Sequence, residues 1–158
     1  MVDKVQCVIF KYAQRPMFLV LHRTKEKGGY WQNVTGSVEK GETDISAAKR
    51  EVKEETTISE DSIIKIYDLF TFTFQEPGKE KKEEKVYAFL VKPDVDIDLS
   101  KNVYTEHTEY EWAGADTAVR LMSGSNLSAS YFIFWNSGPL SMVIPAPKKS
   151  RKSRFNIF

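Results

Sequence analysis

The chain has 158 residues, a length that predicts one domain with a sizeable core. Its 23 Lys and Arg residues nearly balance 22 Asp and Glu residues, so no overall basic field favours nonspecific binding of nucleic acid. The single cysteine, Cys7, excludes an internal disulfide and a cysteine-rich zinc site, and the lack of a signal-like or membrane-length apolar run predicts a cytoplasmic protein.

The first part of the chain is rich in β-branched and aromatic residues. Runs over Val5–Phe10, Met17–His22 and Tyr30–Val34 predict three strands, and Arg15-Pro16 marks the turn between the first two. The third strand delivers the chain to Gly36, from which a glycine-bearing loop is expected to leave the sheet edge.

The stretch 36–58 combines that loop with a predicted helix. Thr43 is placed to cap its first turn, and an apolar stripe at helical spacing can dock on the sheet. Glu51, Glu54 and Glu55 share one side of this helix. Such close like charges repel, and a divalent cation held between the carboxylates would offset the repulsion. The charge pattern on its own is more typical of a solvated helix face with Glu and Lys pairs.

Strands are predicted again over Ile63–Phe74 and Val86–Val91, joined by a highly charged and mobile turn, EPGKEKKEEK. Tyr110–Ala113 predicts a last short strand. Helices are expected over Ala115–Met122 and Asn126–Trp135.

The end of the chain differs in composition from the rest. It contains Pro139, Pro145 and Pro147 and ends in the basic run KKSRKSRFNIF. We therefore expect residues 1–137 to form the domain and residues 138–158 to be a flexible tail without regular elements. The alternatives are a weak phosphate-binding arm or an arm that folds onto a partner subunit.

The spacing of residues in the stretch 36–58 carries a resemblance to a known family. Five residues separate Gly36 from Glu42, seven more precede Arg50-Glu51-Val52, one precedes Glu54-Glu55, and two precede Ile58. This order resembles the Nudix box, the signature of the Nudix hydrolases. The wider runs WQNVTGSVEKGE and REVKEETTI, with TEH further on, resemble the dihydroneopterin triphosphate diphosphatase branch of that family.

Thr57 stands where the box usually has glycine. A β-branched residue is poorly suited to the left-handed conformation that ends many helices, so we expect this helix to end by another route. Because Thr57 follows the glutamates, it is not expected to disturb them.

The resemblance implies an α+β fold, an αβα sandwich with a mixed β-sheet. It also implies a Mg²⁺ site that Mn²⁺ can occupy instead. Arg50 is implied to orient Glu51, and Glu42 either to brace the loop or to join a second metal shell. The implied metal ligands are Glu51, Glu55, Glu54, the backbone carbonyl of Gly36 and Glu106.

A general base is often supplied from outside the box, and the resemblance points to the run TEHTEYEW. Glu106 is the first candidate for general base or extra ligand, with Glu109 and Glu111 as rivals. The alternative is that all three are solvated loop acids. The implied catalytic set is Glu54, Glu106 and Arg50.

The resemblance implies substrate contacts at Arg23, at Thr35 and at Ser123. The forked guanidinium of Arg23 suits phosphate oxygens. His22 is interpreted as a surface strand residue, and His107 as either a phosphate contact or a bystander. Two interpretations, stacking on a base or pterin and packing in the core, are open for Trp31 and for the set Phe70, Phe72 and Phe74.

The sequence thus predicts a Mg²⁺-dependent Nudix diphosphohydrolase that acts on a small nucleoside triphosphate or on dihydroneopterin triphosphate and releases pyrophosphate and a monophosphate. The alternatives are a broader (deoxy)nucleotide or nucleotide-sugar pyrophosphatase, and a noncatalytic nucleotide-binding module on the same fold. The expected partner is a small phosphoanhydride substrate, with no membrane and no nucleic acid, and two chains could form a homodimer through the apolar closing helix.

Overall fold

The computed structural model describes residues 1–102 and 104–122, and the backbone of three two-residue strands beyond them. Its helices are α1 (Asp44–Thr56) and α2 (Ala115–Met122). The strands are β1 (Lys4–Ala13), β2 (Arg15–Arg23), β3 (Trp31–Gln32), β4 (Val34–Ser37), β5 (Ile63–Gln75), β6 (Lys81–Val91), β7 (His107–Ala113), β8 (Phe134–Trp135), β9 (Met142–Val143) and β10 (Asn156–Ile157).

The sheet is mixed. Strand β1 pairs in parallel with β6, whereas the pairs β1–β2, β5–β6 and β2–β7 are antiparallel. The chain changes its partner strand at Asn33, because β3 pairs with β2 and β4 pairs with β1. As a result, Gly36 pairs with Val5 of β1, and the chain then enters the loop before α1.

Each helix covers one face of the sheet. Alternate residues of β1 point to opposite faces, so they pack in two separate clusters. On one face Val52 of α1 packs with Ile9 of β1 in a buried cluster. On the other face Ala118 and Met122 of α2 pack with Phe10. The predicted α+β sandwich with a mixed sheet is confirmed. Within the described residues, no helix has the length and apolar character needed to cross a bilayer.

Helix α1 begins as the sequence predicts. Thr43 has an extended backbone and its side-chain oxygen accepts a hydrogen bond from the backbone N–H of Ser46 at 3.2 Å. The first turn also carries Asp44, which the positive end of the helix dipole favours.

The end of α1 differs from the prediction. Thr57 adopts the left-handed conformation, with φ 63° and ψ 9°, and its N–H donates to the carbonyl of Lys53 at 2.9 Å. The expectation of another route was therefore wrong. The physical reason lies in the Thr57 hydroxyl, which donates to the carbonyl of Thr56 at 2.5 Å and accepts from the N–H of Asp98 at 3.1 Å. These bonds offset the cost of a left-handed β-branched residue.

Strand β6 is longer than predicted, because the ladder with β5 continues to the pair Gln75 and Lys81. The charged run 81–85 thus belongs to the strand and not to the turn. Backbone pairing does not depend on side-chain charge, and Glu84 even lies buried opposite Phe72, where it accepts a hydrogen bond from Gln6.

The segment after α2 also departs from the prediction where the structure describes it. Phe134–Trp135, expected to be helical, is strand β8, which pairs with β9. Asn156–Ile157 pairs with β5, so the expectation that no regular element follows residue 137 was wrong for β9 and β10. An edge strand such as β5 has unpaired backbone groups, and a segment of two residues can pair with them even when prolines occur elsewhere in the tail. The domain boundary at residue 137 stays a prediction.

Candidate active site

Arg50 connects the loop of the box to the glutamates of α1. Its Nε and Nη2 donate to the two carboxylate oxygens of Glu42 at 2.8 and 3.0 Å, and Nη2 also donates to the carbonyl of Ser37 at 2.9 Å. Its Nη1 donates to Glu51 at 2.7 Å and to Glu54 at 3.2 Å. One guanidinium group therefore binds the loop at Ser37 and at Glu42 and also binds two carboxylates of α1.

These bonds change the acidity of the groups involved. The hydrogen bond from Arg50, aided by one from the backbone of Glu39, lowers the pKa of Glu42 to about 2. The same pair raises the pKa of Arg50. Glu42 is therefore a fixed anion that braces the loop through Arg50.

Gly36 lies directly against the carboxylate of Glu51. A Cβ atom on Gly36 would lie 1.9 Å from Cδ and 2.0 Å from Oε1 of Glu51, which no real contact allows. Glycine is therefore required here by close approach and not by a turn. Burial raises the pKa of Glu51, and the hydrogen bond from Arg50 only partly opposes this effect.

The three glutamates of α1 differ in their surroundings. Glu54 is 60% exposed, whereas only 7% of Glu55 is exposed. The Oε2 atom of Glu55 is buried and has no hydrogen-bond partner among the described residues. Burial raises the pKa of Glu55 well above its ordinary value, and the charges of Glu51 and Glu106 raise it further. A buried carboxylate without a partner beside other carboxylates is a position that a cation would stabilise.

Strand β7 brings a second group of side chains to Glu55. Glu106 and His107 lie where β7 begins, and one ligand atom from each of Glu55, Glu106 and His107 lies within 4.8 Å of the others. Glu109 and Glu111 are exposed, and Glu109 instead lies 3.6 Å from a ring nitrogen of His22. Of the three candidate acids in this run, Glu106 is the one placed in this group.

His107 is buried at the start of β7, and its role as a phosphate contact or a bystander stays a prediction. Burial, followed by the charges of Arg23 and His22, lowers the pKa of His107 to about 4, so the ring is neutral at neutral pH. Its Nε2 contacts Nε2 of Gln32 at 2.9 Å. The sequence signal that could have found this histidine is its place directly after Glu106, where the strand begins.

Arg23 ends β2 close to the same group. Its Nη1 donates to the hydroxyl of Tyr30 at 2.7 Å, and the guanidinium lies 5.3 Å from the centre of the Tyr30 ring. Its Nε is buried without a partner among the described residues. Thr35 is half-buried on β4, one residue before Gly36. Ser123 lies outside the described residues.

A cavity of about 630 Å³ opens beside the glutamates of α1 and Glu106. The rest of its lining consists of Arg50, Lys53, Thr57, Lys101, Asn102 and the exposed Tyr104. Its volume falls in the range of sites that take a small ligand. Lys101, Asn102 and Tyr104 are not among the predicted site residues, because nothing in a polar, irregular run indicates which of its residues turn toward the helix.

The residues present fit a divalent cation. The carboxylates of Glu51, Glu54 and Glu55 are hard oxygen donors, and the unpaired Glu55 oxygen has no other means of stabilisation in the described part of the chain. Gly36 leaves the Glu51 carboxylate room that a side chain would fill.

Comparison with known proteins places this site in a family. The family model described as the NUDIX domain matches residues 2–133. The chain is 33% identical over 137 residues to the dihydroneopterin triphosphate diphosphatase of Escherichia coli, with 79% of this chain and 88% of that protein covered. The chain therefore belongs to the NUDIX family. The predicted enzyme class, a diphosphohydrolase, is confirmed at the level of this family.

Two further likenesses extend this result. The solved structure of the E. coli dihydroneopterin triphosphate pyrophosphohydrolase superposes with a TM-score of 0.57 at 33% identity, over 78% of this chain and 90% of that one. The asymmetrical bis(5'-nucleosyl)-tetraphosphatase of Rattus norvegicus is 28% identical over 101 residues, which cover 64% of this chain and 67% of the relative.

Proposed function

We propose that this protein hydrolyses a phosphoanhydride bond of dihydroneopterin triphosphate or of a small nucleoside triphosphate, with Mg²⁺ as its cofactor, and releases the monophosphate and pyrophosphate. The observation that carries the proposal is the buried, unpaired carboxylate of Glu55, which faces Glu51 and Glu106 beside an open cavity. The similarity to the E. coli diphosphatase supports the choice of substrate class.

The cation would be held by side chains of α1 and by the loop before it. We assign the ligand roles to Glu51, Glu54, Glu55, the carbonyl of Gly36 and Glu106. When bound, Mg²⁺ supplies charge that shields phosphate oxygens and lowers the pKa of water, and Mn²⁺ can supply the same chemistry.

The remaining catalytic work falls to two side chains. Arg50 positions Glu51 and Glu54 through its hydrogen bonds, and it does not need to touch the substrate. Glu106 accepts a proton from the attacking water at a carboxylate oxygen. As the new P–O bond forms, the bond to the bridging oxygen breaks and pyrophosphate leaves.

Arg23 is the proposed contact for the substrate phosphates. Its guanidinium is held by the Tyr30 hydroxyl through Nη1, and the forked geometry of its donors suits phosphate oxygens. We assign Thr35 and Ser123 to substrate binding on the family resemblance. Lys53 and Lys101 place two further positive charges at the cavity.

A second candidate, a broader pyrophosphatase, is favoured by two observations. The chain is 28% identical over 101 residues to the rat enzyme named asymmetrical bis(5'-nucleosyl)-tetraphosphatase. A cavity of about 630 Å³ that is open to solvent also leaves space for a longer polyphosphate.

The test is a substrate panel assayed side by side: dihydroneopterin triphosphate, the common nucleoside triphosphates, diadenosine tetraphosphate and ADP-ribose. Each is incubated with Mg²⁺ or with EDTA, and phosphate and pyrophosphate are measured separately. We expect Mg²⁺-dependent release of pyrophosphate, lost in Glu55→Gln and retained in Glu60→Gln, whose side chain is exposed outside the site.

Other outcomes identify the alternatives. A strong preference for ADP-ribose or for diadenosine tetraphosphate would replace the first substrate class with the second. Binding of nucleotides without turnover of any phosphoanhydride would contradict the enzymatic proposal and identify a binding module.

A further inference from the structure

We propose that His107 supplies a nitrogen ligand, through Nδ1, to a cation held by Glu55 and Glu106, and that this ligand adds more affinity for a first-row transition ion such as Mn²⁺ than for Mg²⁺. The inference rests on the proposed function in one respect, since both place the cation beside Glu55. It goes further in giving a role to a residue outside the box.

Two side chains in this group have buried polar atoms with no partner among the described residues. His107 is only 2% exposed, and its Nδ1 makes no hydrogen bond among the described residues. The same holds for Oε2 of Glu55. One ion bound by both atoms would satisfy both at once, since buried polar groups are rarely left without a partner.

The other ring nitrogen of His107 is already engaged. Nε2 lies 2.9 Å from the side-chain amide of Gln32, which is itself buried. The amide nitrogen of Gln32 lies against Nε2, but a flip of the amide exchanges its oxygen and nitrogen within the same space. With the oxygen toward Nε2, the proton stays on Nε2 and the lone pair of Nδ1 is left to bind the ion. A buried partner that fixes the tautomer is the usual support of a metal-binding histidine.

Glu106 and His107 are neighbours in sequence and share one site. Adjacent residues of a regular strand point to opposite faces, but Glu106 lies just before β7 and is outside this alternation. The register between β2 and β7 also shifts after His107, because His22 pairs with Glu109 and Arg23 pairs with His107, which leaves Thr108 as an extra residue that redirects the start of the strand. The carbonyl of Glu106 also accepts a hydrogen bond from the N–H of Thr24 at 2.9 Å, which fixes the start of the strand.

The choice of ion follows from the ligand type. Mg²⁺ binds oxygen almost exclusively, whereas imidazole nitrogen suits first-row transition ions. An imidazole added to these carboxylates therefore increases the affinity of the site for Mn²⁺ and increases its affinity for Mg²⁺ only a little.

The chain offers a clean spectroscopic test, because it contains only two histidines. Mn²⁺ is added to the metal-free full chain, and pulsed electron paramagnetic resonance measures coupling between the ion and ¹⁴N. We expect a coupling typical of a directly bound imidazole in the wild type and in His22→Asn, and its loss in His107→Asn. Titration calorimetry should show Mn²⁺ affinity reduced by about tenfold or more in His107→Asn, with Mg²⁺ affinity changed far less.

The outcomes separate this inference from the proposed function. Absence of nitrogen coupling in the wild type overturns the inference, whatever the fold of the variants, and leaves Mg²⁺-dependent turnover to be judged on its own assay. Coupling in the wild type without turnover of any phosphoanhydride supports the ligand and contradicts the proposed function. Coupling that persists in His107→Asn and disappears in His22→Asn would show that His22 is the nitrogen ligand. That result also overturns the inference.

Discussion

The guanidinium of Arg50 binds both carboxylate oxygens of Glu42, at 2.8 and 3.0 Å, across eight residues of chain. The same group reaches Glu51 and Glu54. The loop before α1 is thus fastened to the glutamates of the helix by one side chain, so changes in the loop are expected to act on the site through Arg50.

The first prediction concerns Glu42→Gln and pH. Because Arg50 lowers the pKa of Glu42 from 4.5 to about 2, the ion pair stabilises the folded state fully above the ordinary pKa, and this contribution is lost as pH falls toward 2. Thermal melting of wild type and Glu42→Gln across this range should show the largest difference near neutral pH and convergence in acid. A difference that stays constant with pH would show that the charge of Glu42 contributes nothing.

The second prediction concerns Glu55→Gln, for which stability and metal response should change in opposite directions. Without metal, removal of a buried charge beside Glu51 and Glu106 should raise the melting temperature, by about 2 to 4 °C for each kcal/mol gained. With Mg²⁺ at about 100 times its dissociation constant, the free energy of unfolding of the wild type should rise by about 2.7 kcal/mol, and that of the variant should rise little. Calorimetry with EDTA and with Mg²⁺ measures both effects. A variant less stable than the wild type in EDTA would contradict the interpretation of Glu55 as an unpaired charge.

The third prediction concerns Gly36→Ala. Its Cβ would lie 1.9 Å from Cδ of Glu51 and must displace that carboxylate from Arg50, so we expect activity to fall about a hundredfold and stability by about 1 to 3 kcal/mol. Gly114→Ala is the matched control, because its Cβ meets only the movable end of Arg15 at 3.3 Å. Equal activity of the two variants would show that Glu51 is not held in place by contact with Gly36.

The fourth prediction concerns the strained end of α1. Thr57→Val keeps the branched side chain in the left-handed conformation but loses the hydroxyl bonds to Thr56 and Asp98, so it should cost about 1 to 3 kcal/mol. Thr57→Gly loses the same bonds but removes the conformational cost, so its stability should lie within about 1 kcal/mol of the wild type. Urea unfolding measures both. A Val variant as stable as the wild type would leave the left-handed conformation of Thr57 without an explanation.

The parts of the structure that could be predicted from the sequence are those set by local pattern. The cap at Thr43 and the turn of helix that groups the glutamates depend only on spacing, and both are present. Helix α2 is found at its predicted bounds for the same reason.

The parts that could not be predicted depend on contacts between distant residues. The left-handed Thr57 depends on a hydrogen bond from Asp98, 41 residues away. The place of His107 depends on a bulge that only the pairing of β2 with β7 reveals. Long-range pairing also placed the charged run 81–85 in a strand, where composition favoured a turn.

The most direct test of the account is anomalous diffraction from crystals of the protein soaked in Mn²⁺. The account predicts an anomalous peak between the carboxylate of Glu55 and those of Glu51 and Glu106, where buried negative charge is least compensated. A well-occupied Mn²⁺ elsewhere in the crystal, with no peak beside Glu55, would contradict it.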